Sequence, residues 1–197
     1  MKIGINLLLW TGHVTEDYVP ILQAIKDTGF DGVEIPVFDA SDAAHYAELG
    51  AIMDDIGLER TAVALIPDEE HSPLSDNAAH RQGAVDHLKA VIDCCSAMGA
   101  EMLVGPYYQP LGVFSGEFPS VTELSRCADV HRQIVPIARA AGIGMAFEPL
   151  NRFEAHLLNT IEQSIAYTNR VGETGFGILY DTFHANIEEK DPLAAFH

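Results

Sequence analysis

The sequence reads GMAFEPL at residues 144–150 and FGILYD at residues 176–181, two apolar runs that each lead into a carboxylate. Glu148 follows the first run, Asp181 ends the second, and one helical pattern lies between them. Two strands joined by one helix are expected to be parallel neighbours with their acidic residues at the same edge of the sheet. Because adjacent strands lie about 4.8 Å apart, both side chains can converge on one divalent cation, whereas bare carboxylates would repel each other. The pair predicts half of a metal site.

The same alternation of strand and helix extends along the whole chain. The strand-like runs lie at residues 3–10, 32–38, 61–66, 102–107, 144–150 and 176–180. They are apolar throughout, as expected of parallel strands that are buried on both faces. The segments between them have helical periodicity, and Ser120 with Glu123 and Thr160 with Gln163 have capping-box spacing. The glycines expected to close helices are Gly29, Gly57, Gly99, Gly142 and Gly172.

This repetition is compatible with an open doubly wound sheet or with a closed barrel. No glycine-rich phosphate loop follows the first run, where residues 9–13 read LWTGH, which disfavours a dinucleotide-binding sheet. Acidic residues at strand ends favour the barrel, whose active sites gather at that face. A barrel normally takes about 250 residues. The sequence therefore predicts an α/β fold, a (β/α)8 TIM barrel with only about its first six units present, and we interpret residues 1–197 as a single, C-terminally truncated domain.

Composition narrows the possible partners. The chain has 29 Asp and Glu residues against 11 Lys and Arg, a formal charge of −18, which would repel nucleic acid and anionic lipid. No apolar run reaches the roughly 20 residues of a membrane span, and the N-terminal segment lacks the features of a secretory signal. We therefore expect a cytoplasmic protein that binds neither nucleic acid nor membrane. A neutral sugar fits the negative charge better than a strongly anionic substrate.

Two segments carry a specific resemblance to a known family. Residues 148–154 (EPLNRFE) and residues 181–189 (DTFHANIEE) are similar to the ketose 3-epimerases, the D-tagatose and D-psicose (allulose) 3-epimerase family within the xylose isomerase-like TIM barrels. The order of strands and helices resembles that family over the whole chain, whereas the close motif match covers only these two segments. The resemblance implies metal-dependent epimerisation of free ketoses at C3.

The resemblance also implies roles for individual residues. Glu148 and Asp181 would bind a divalent metal, with Mn2+ expected and Mg2+ or Co2+ as alternatives, and Glu148 would also be one of two catalytic acid/bases. Glu154 and His184 would hydrogen-bond the ketose. The family completes its site with a His, an Arg and a second Glu from the last two strands, none of which is in this chain. The intact protein is expected to be a homo-oligomer, a dimer or a tetramer.

The expected chemistry explains these residue types. Inverting C3 requires removal of a proton next to the C2 carbonyl, and a cation bound to O2 and O3 stabilises the resulting cis-enediolate while carboxylates exchange the protons. An aldose-ketose or hydroxypyruvate isomerase on the same scaffold would instead move the proton between C1 and C2. A third interpretation is a catalytically inactive, truncated barrel, which would bind Mn2+ weakly.

Each of these motif residues also has a purely structural interpretation. Glu148 and Asp181 could cap the helices that follow them, and His184 could be a surface loop residue. Glu154 could pair with Arg152.

Other candidates rest on position alone. Trp10 and Tyr107 lie near strand ends, where they could either wall the apolar face of the sugar or belong to the core. Glu34 lies inside the second strand and must be paired or close to a metal if it is buried. The remaining histidines lack ligand spacing, and we expect most of them to be exposed.

Overall fold

Six parallel strands form the sheet in the computed structural model, which describes residues 1–197. The strands are β1 (Gly4–Asn6), β2 (Gly32–Pro36), β3 (Glu59–Val63), β4 (Met102–Gly105), β5 (Gly144–Phe147) and β6 (Phe176–Ile178). They pair in chain order from β1 to β6, each parallel to its neighbour. All six predicted strands are confirmed, as is the parallel pairing of β5 with β6.

The strands are shorter than the apolar runs that predict them. The first run was expected to be extended as far as Trp10, but residues Leu7–Leu9 form a 3-10 turn. The side chain of Asn6 accepts a hydrogen bond from the backbone N–H of Leu8 at 2.8 Å, which caps this turn and ends β1. An apolar run fits a buried turn as well as a strand, so its length alone does not locate the strand end.

Seven α-helices follow the strands or their loops. They are α1 (Val19–Thr28), α2 (Ala43–Ile56), α3 (Ala78–Met98), α4 (Val121–Ala140), α5 (Ile161–Val171), α6 (Thr182–Glu188) and α7 (Pro192–Phe196). Both predicted capping boxes are present, at the starts of α4 and α5. The five predicted glycines all have positive φ at or just past a helix end. None of the helices combines the length and the apolar character that crossing a membrane requires.

The helices form a layer against one face of the sheet, with α2 against α3, α3 against α4 and α4 against α5. The core contains side chains from both layers, such as Ile35, Leu88, Leu103, Ile134 and Phe147. In the sheet register Gly105 pairs with Phe147, and Phe147 with Ile178. The carboxyl ends of β4, β5 and β6 therefore lie at one edge, where Glu148 is the next residue after β5.

Candidate active site at the carboxyl ends of β5 and β6

Glu148 is held in place by a continuation of the strand pairing. Its backbone N–H donates to the carbonyl of Gly105 at 3.1 Å, one step beyond the last paired residue of β5. Its side chain is half-buried. A carboxylate fixed at the end of a buried parallel strand is presented at the sheet edge where α/β active sites form.

Asp181 caps helix α6, as its structural interpretation predicts. Its Oδ1 accepts a hydrogen bond from the backbone N–H of His184 at 2.9 Å, which fixes the carboxylate at the helix start. This bond uses only one of the two carboxylate oxygens. Capping and metal binding are therefore compatible at Asp181, because the bond that orients the group leaves Oδ2 available as a ligand.

The strand ends bring three potential ligand groups together. One ligand atom from each of Glu148, Asp181 and His184 lies within 4.8 Å of the other two. Among them, His184 Nε2 lies 3.6 Å from Glu148 Oε1. Carboxylate oxygens at this spacing are the donors that hard divalent cations such as Mn2+ and Mg2+ prefer. The cluster therefore fits the expected divalent metal.

The hydrogen bonds of His184 determine which ring nitrogen carries the proton. The residue is 9% exposed. Its Nδ1 accepts from the backbone N–H of Asn151 at 3.1 Å and lies 2.9 Å from the Asn151 side-chain Nδ2. A backbone N–H can only donate, so Nδ1 must be the acceptor and the neutral ring carries its proton on Nε2. His184 thus directs an N–H donor toward Glu148, which suits it to bind an oxygen rather than a metal.

The acidic environment of Glu148 favours binding of a positive charge. Burial, together with the negative charges of Asp181, Glu34 and Glu154, raises the pKa of Glu148 to about 7. Each of these acids disfavours the ionised form of Glu148. A divalent cation between the two strand-end carboxylates would offset this repulsion.

Glu154 lies in the loop that follows β5 and is half-buried. Its Oε1 accepts from Asn151 Nδ2 at 2.7 Å. The pairing of Glu154 with Arg152 that the sequence allowed is not what forms, because Arg152 donates from Nε and Nη2 to the two oxygens of Glu188, each at 2.9 Å. Glu154 therefore keeps oxygen lone pairs available near Glu148.

The loop at residues 149–160 contains no helix or strand, yet its backbone is densely bonded. The Gln109 Oε1 atom accepts from the backbone N–H groups of His156 and Leu157, at 3.1 and 2.9 Å. Asn159 Nδ2 donates to the carbonyls of Leu150 and Ala155, at 2.7 and 2.9 Å. The bonds to Gln109, which follows β4, and to Glu188 of α6 tie the loop to its neighbours, whereas the Asn159 bonds lie within the loop.

Glu34 is paired, as its position inside β2 requires. Its Oε1 accepts from Asn6 Nδ2 at 2.8 Å and its Oε2 from Thr61 Oγ1 at 3.0 Å. Both partners occupy the adjacent strand positions in the register. Burial raises the pKa of Glu34, and the two hydrogen bonds oppose that shift. Glu34 acts on Glu148 electrostatically, because its negative charge raises the pKa of Glu148.

The two aromatic candidates lie in different environments from the acids. Trp10 is 44% exposed and borders an apolar groove with Pro20 and Ile21 of α1. Tyr107 is completely buried, with its ring edge-on to His131 of α4. It lies in the layer between sheet and helices, because a large aromatic ring is better accommodated there than at the open edge. This placement does not support the expectation that Tyr107 contacts a sugar.

A family model described as a xylose isomerase-like TIM barrel matches residues 22–196. The chain belongs to this xylose isomerase-like TIM barrel family. The predicted fold class and the resemblance are thereby confirmed.

Relatives of the xylose isomerase-like chain are named as epimerases. It is 30% identical to the probable ketose 3-epimerase of Synechocystis sp., over 100% of this chain and 68% of that protein. It is 29% identical to the ketose 3-epimerase of Arthrobacter globiformis, over 97% of this chain and 65% of that protein. The solved structure of an L-ribulose 3-epimerase superposes with a TM-score of 0.88 at 28% identity, covering 97% of this chain and 64% of that chain. The chain thus spans about two thirds of the length of these relatives.

Proposed function

We propose that the protein carrying this sequence inverts the configuration of free ketoses at C3, with substrates of the D-tagatose, D-psicose and D-fructose type. The observation that supports this most directly is the convergence of Glu148, Asp181 and the His184 N–H donor at one edge of the sheet. Relatives named as ketose 3-epimerases supply the reaction class.

Glu148 and Asp181 are the proposed metal ligands, with Mn2+ as the first choice of ion. A bound cation would supply the positive charge that stabilises the negative charge developing on the sugar oxygens when the C3 proton leaves. Asp181 is suited to a fixed ligand role, because its capping bond to the His184 N–H holds the carboxylate in one orientation.

Glu148 is the proposed acid/base for one face of the sugar. Its carboxylate has two oxygens, so one can hold the cation while the other exchanges a proton with C3. General acid/base groups work best when their pKa lies near the operating pH, and burial and the neighbouring acids raise the pKa of Glu148, which opposes the lowering that a bound cation would cause. The position of Glu148 in a partly buried, acidic environment therefore favours proton transfer in both directions.

His184 and Glu154 are the proposed sugar-binding groups. His184 would donate its Nε2 hydrogen to a sugar oxygen near Glu148, since Nδ1 is occupied by Asn151. Glu154 would accept from a sugar hydroxyl with the lone pairs that Asn151 leaves unused. One donor and one acceptor beside the reacting carbon would orient the ketose for proton transfer.

The position of isotope exchange tests the reaction. The protein carrying this sequence would be incubated in deuterated water with Mn2+ and D-tagatose, D-fructose or hydroxypyruvate. We expect deuterium at C3 of the ketoses. Deuterium at C1 or C2 alone would replace the proposal with an aldose-ketose or hydroxypyruvate isomerase.

Calorimetric titration with Mn2+ tests the metal site separately. We expect binding in the micromolar range that Glu148→Ala abolishes, with Glu48→Ala on the exposed face of α2 as the control. Millimolar binding that is equal in both variants would support the inactive interpretation instead.

A further inference from the structure

Asn151 lies between the two proposed sugar-binding residues. It is 2% exposed and follows β5 by four residues, within the loop at residues 149–160. Its side-chain Nδ2 lies 2.9 Å from His184 Nδ1 and donates to Glu154 Oε1 at 2.7 Å. One amide group therefore contacts both residues directly.

The orientation of this amide is fixed by a third contact. Asn151 Oδ1 accepts from the backbone N–H of Phe153 at 2.9 Å, so the oxygen must face that donor and Nδ2 must face His184 and Glu154. The Asn151 backbone N–H also donates to His184 Nδ1, at 3.1 Å. With every polar group of the side chain engaged, the residue has one hydrogen-bonding arrangement.

A carboxylate at this position would have the opposite effect on His184. An acceptor 2.9 Å from Nδ1 would favour a proton on Nδ1, in opposition to the Asn151 backbone N–H, which donates to the same atom at 3.1 Å. It would also add a negative charge beside Glu154, in a region where neighbouring acids already disfavour the ionised form of Glu148. A neutral amide that donates to both partners avoids both problems.

We propose that Asn151 is a positioning residue that sets the proton on His184 Nε2 and orients Glu154 for the same substrate. This inference rests on the proposed function, since it is the sugar that both residues would contact. Asn151 itself acts through its two partners.

Asn159 provides a matched control from the same loop. Its side chain also donates two hydrogen bonds, at 2.7 and 2.9 Å, but both go to backbone carbonyls of the loop, at Leu150 and Ala155. A variant of Asn159 removes a comparable structural contribution without touching His184 or Glu154. Comparison of the two asparagines separates positioning from loop stability.

The test is nitrogen NMR of the histidine rings in the protein without added sugar, with the His184 signals assigned by their loss in His184→Asn. In the wild type we expect the proton on Nε2. In Asn151→Asp we expect a proton on Nδ1, whereas Asn159→Ala should retain the wild-type signals. A folded Asn151→Asp protein in which Nδ1 stays unprotonated would overturn the proposal.

Asn151→Ala supplies a second measurement that does not depend on folding of the Asp variant. It keeps the backbone bond to His184 but frees Glu154, so we expect kcat/KM for the ketose to fall about tenfold to a hundredfold, mainly through KM. A fall no larger than that of Asn159→Ala would contradict the proposal. Failure of the wild type to turn over any ketose would reject the proposed function, while the ring spectra would still decide how Asn151 acts on His184.

Discussion

Two buried histidines, one in the candidate site and one between the sheet and the helices, differ in the group that their Nε2 faces. His131 is completely buried, lies 3.2 Å from the Tyr107 carbonyl through Nε2, and has Tyr167 Oη 2.7 Å from Nδ1. His184 also has an acceptor role at Nδ1, but its Nε2 faces Glu148. Burial and a fixed tautomer are therefore common to both. What distinguishes the candidate site is a donor that ends beside a carboxylate instead of on a backbone carbonyl.

Removing the charge of Glu148 is expected to give the largest effect on activity. We expect Glu148→Gln to lower kcat for ketoses about a thousandfold, within the range of about 10²–10⁴ typical of lost acid/base groups. Its fold should persist, and with a chelator present its melting temperature should equal or exceed that of the wild type, because the variant removes the repulsion from Asp181, Glu34 and Glu154. Turnover assays and thermal unfolding measure both, with the exposed Glu48→Gln as control. A variant that retains activity would remove Glu148 from the reaction.

Alanine at the two histidines should separate stability from function. We expect His131→Ala to lower the free energy of unfolding by about 3 kcal/mol, because it leaves a cavity and takes partners from Tyr167 and the Tyr107 carbonyl. His184→Ala should cost less stability and lower kcat/KM about a hundredfold. Denaturant titration and turnover assays measure the two effects. Equal losses of stability in both variants would contradict the comparison.

The free energy of unfolding should decrease in acid because of His131. Burial lowers the pKa of His131 from the ordinary value of 6.5 to about 4. Above pH 6.5 both folded and unfolded states hold the ring neutral; as the pH falls toward 4 only the unfolded state gains a proton, so the free energy of unfolding declines. The decline should approach roughly 3 kcal/mol.

Denaturant titrations between pH 7 and pH 4 would measure this contribution as a difference between variants. His131→Gln has no titrating ring, so its profile should be flatter than that of the wild type, while His197→Gln at the exposed C-terminus should follow the wild type. Parallel profiles for His131→Gln and the wild type would show that the ring does not carry the effect.

Two adjacent tyrosines provide the smallest and most closely matched comparison. Tyr107 has a buried hydroxyl with no hydrogen-bond partner, whereas Tyr108 Oη donates to the Leu158 carbonyl and accepts from the Leu150 N–H, each at 3.0 Å. We expect Tyr107→Phe to stabilise the fold by about 1 kcal/mol and Tyr108→Phe to destabilise it by about 2 kcal/mol. Denaturant titration measures both. A change in KM for ketoses in Tyr107→Phe would restore its predicted role in sugar binding.

The parts of the fold that follow from local rules were predictable from sequence. All six strands, both capping boxes and the glycine helix ends depend on residues close together in the chain. Leu7–Leu9 departed from prediction because the hydrogen bond from Leu8 to Asn6 competes with strand pairing. The cytoplasmic location, the single-domain boundary and the homo-oligomeric state stay predictions.

Only the features of the site that follow from its sequence motif and from the order of the strands were predictable. Neighbouring strands account for the convergence of Glu148 and Asp181. The partners of Glu34 on β1 and β3 depend on register, which an apolar run does not specify. The same holds for the contact of Asn151 with His184, which spans 33 residues, and for the burial of His131 and Tyr107 beneath the helices.

The densely bonded loop at residues 149–160 has a consequence for how a ligand arrives. Several of its carbonyls and amides are engaged by Gln109 and Asn159, and Arg152 is paired with Glu188, so binding of the proposed ketose there would require little further loss of conformational entropy. The bonds to Gln109 and Glu188 would have to break for this segment to move aside. These bonds favour a fixed wall over a lid, and affinity for the proposed ketose would then arise from a few contacts on a surface that is ordered before binding.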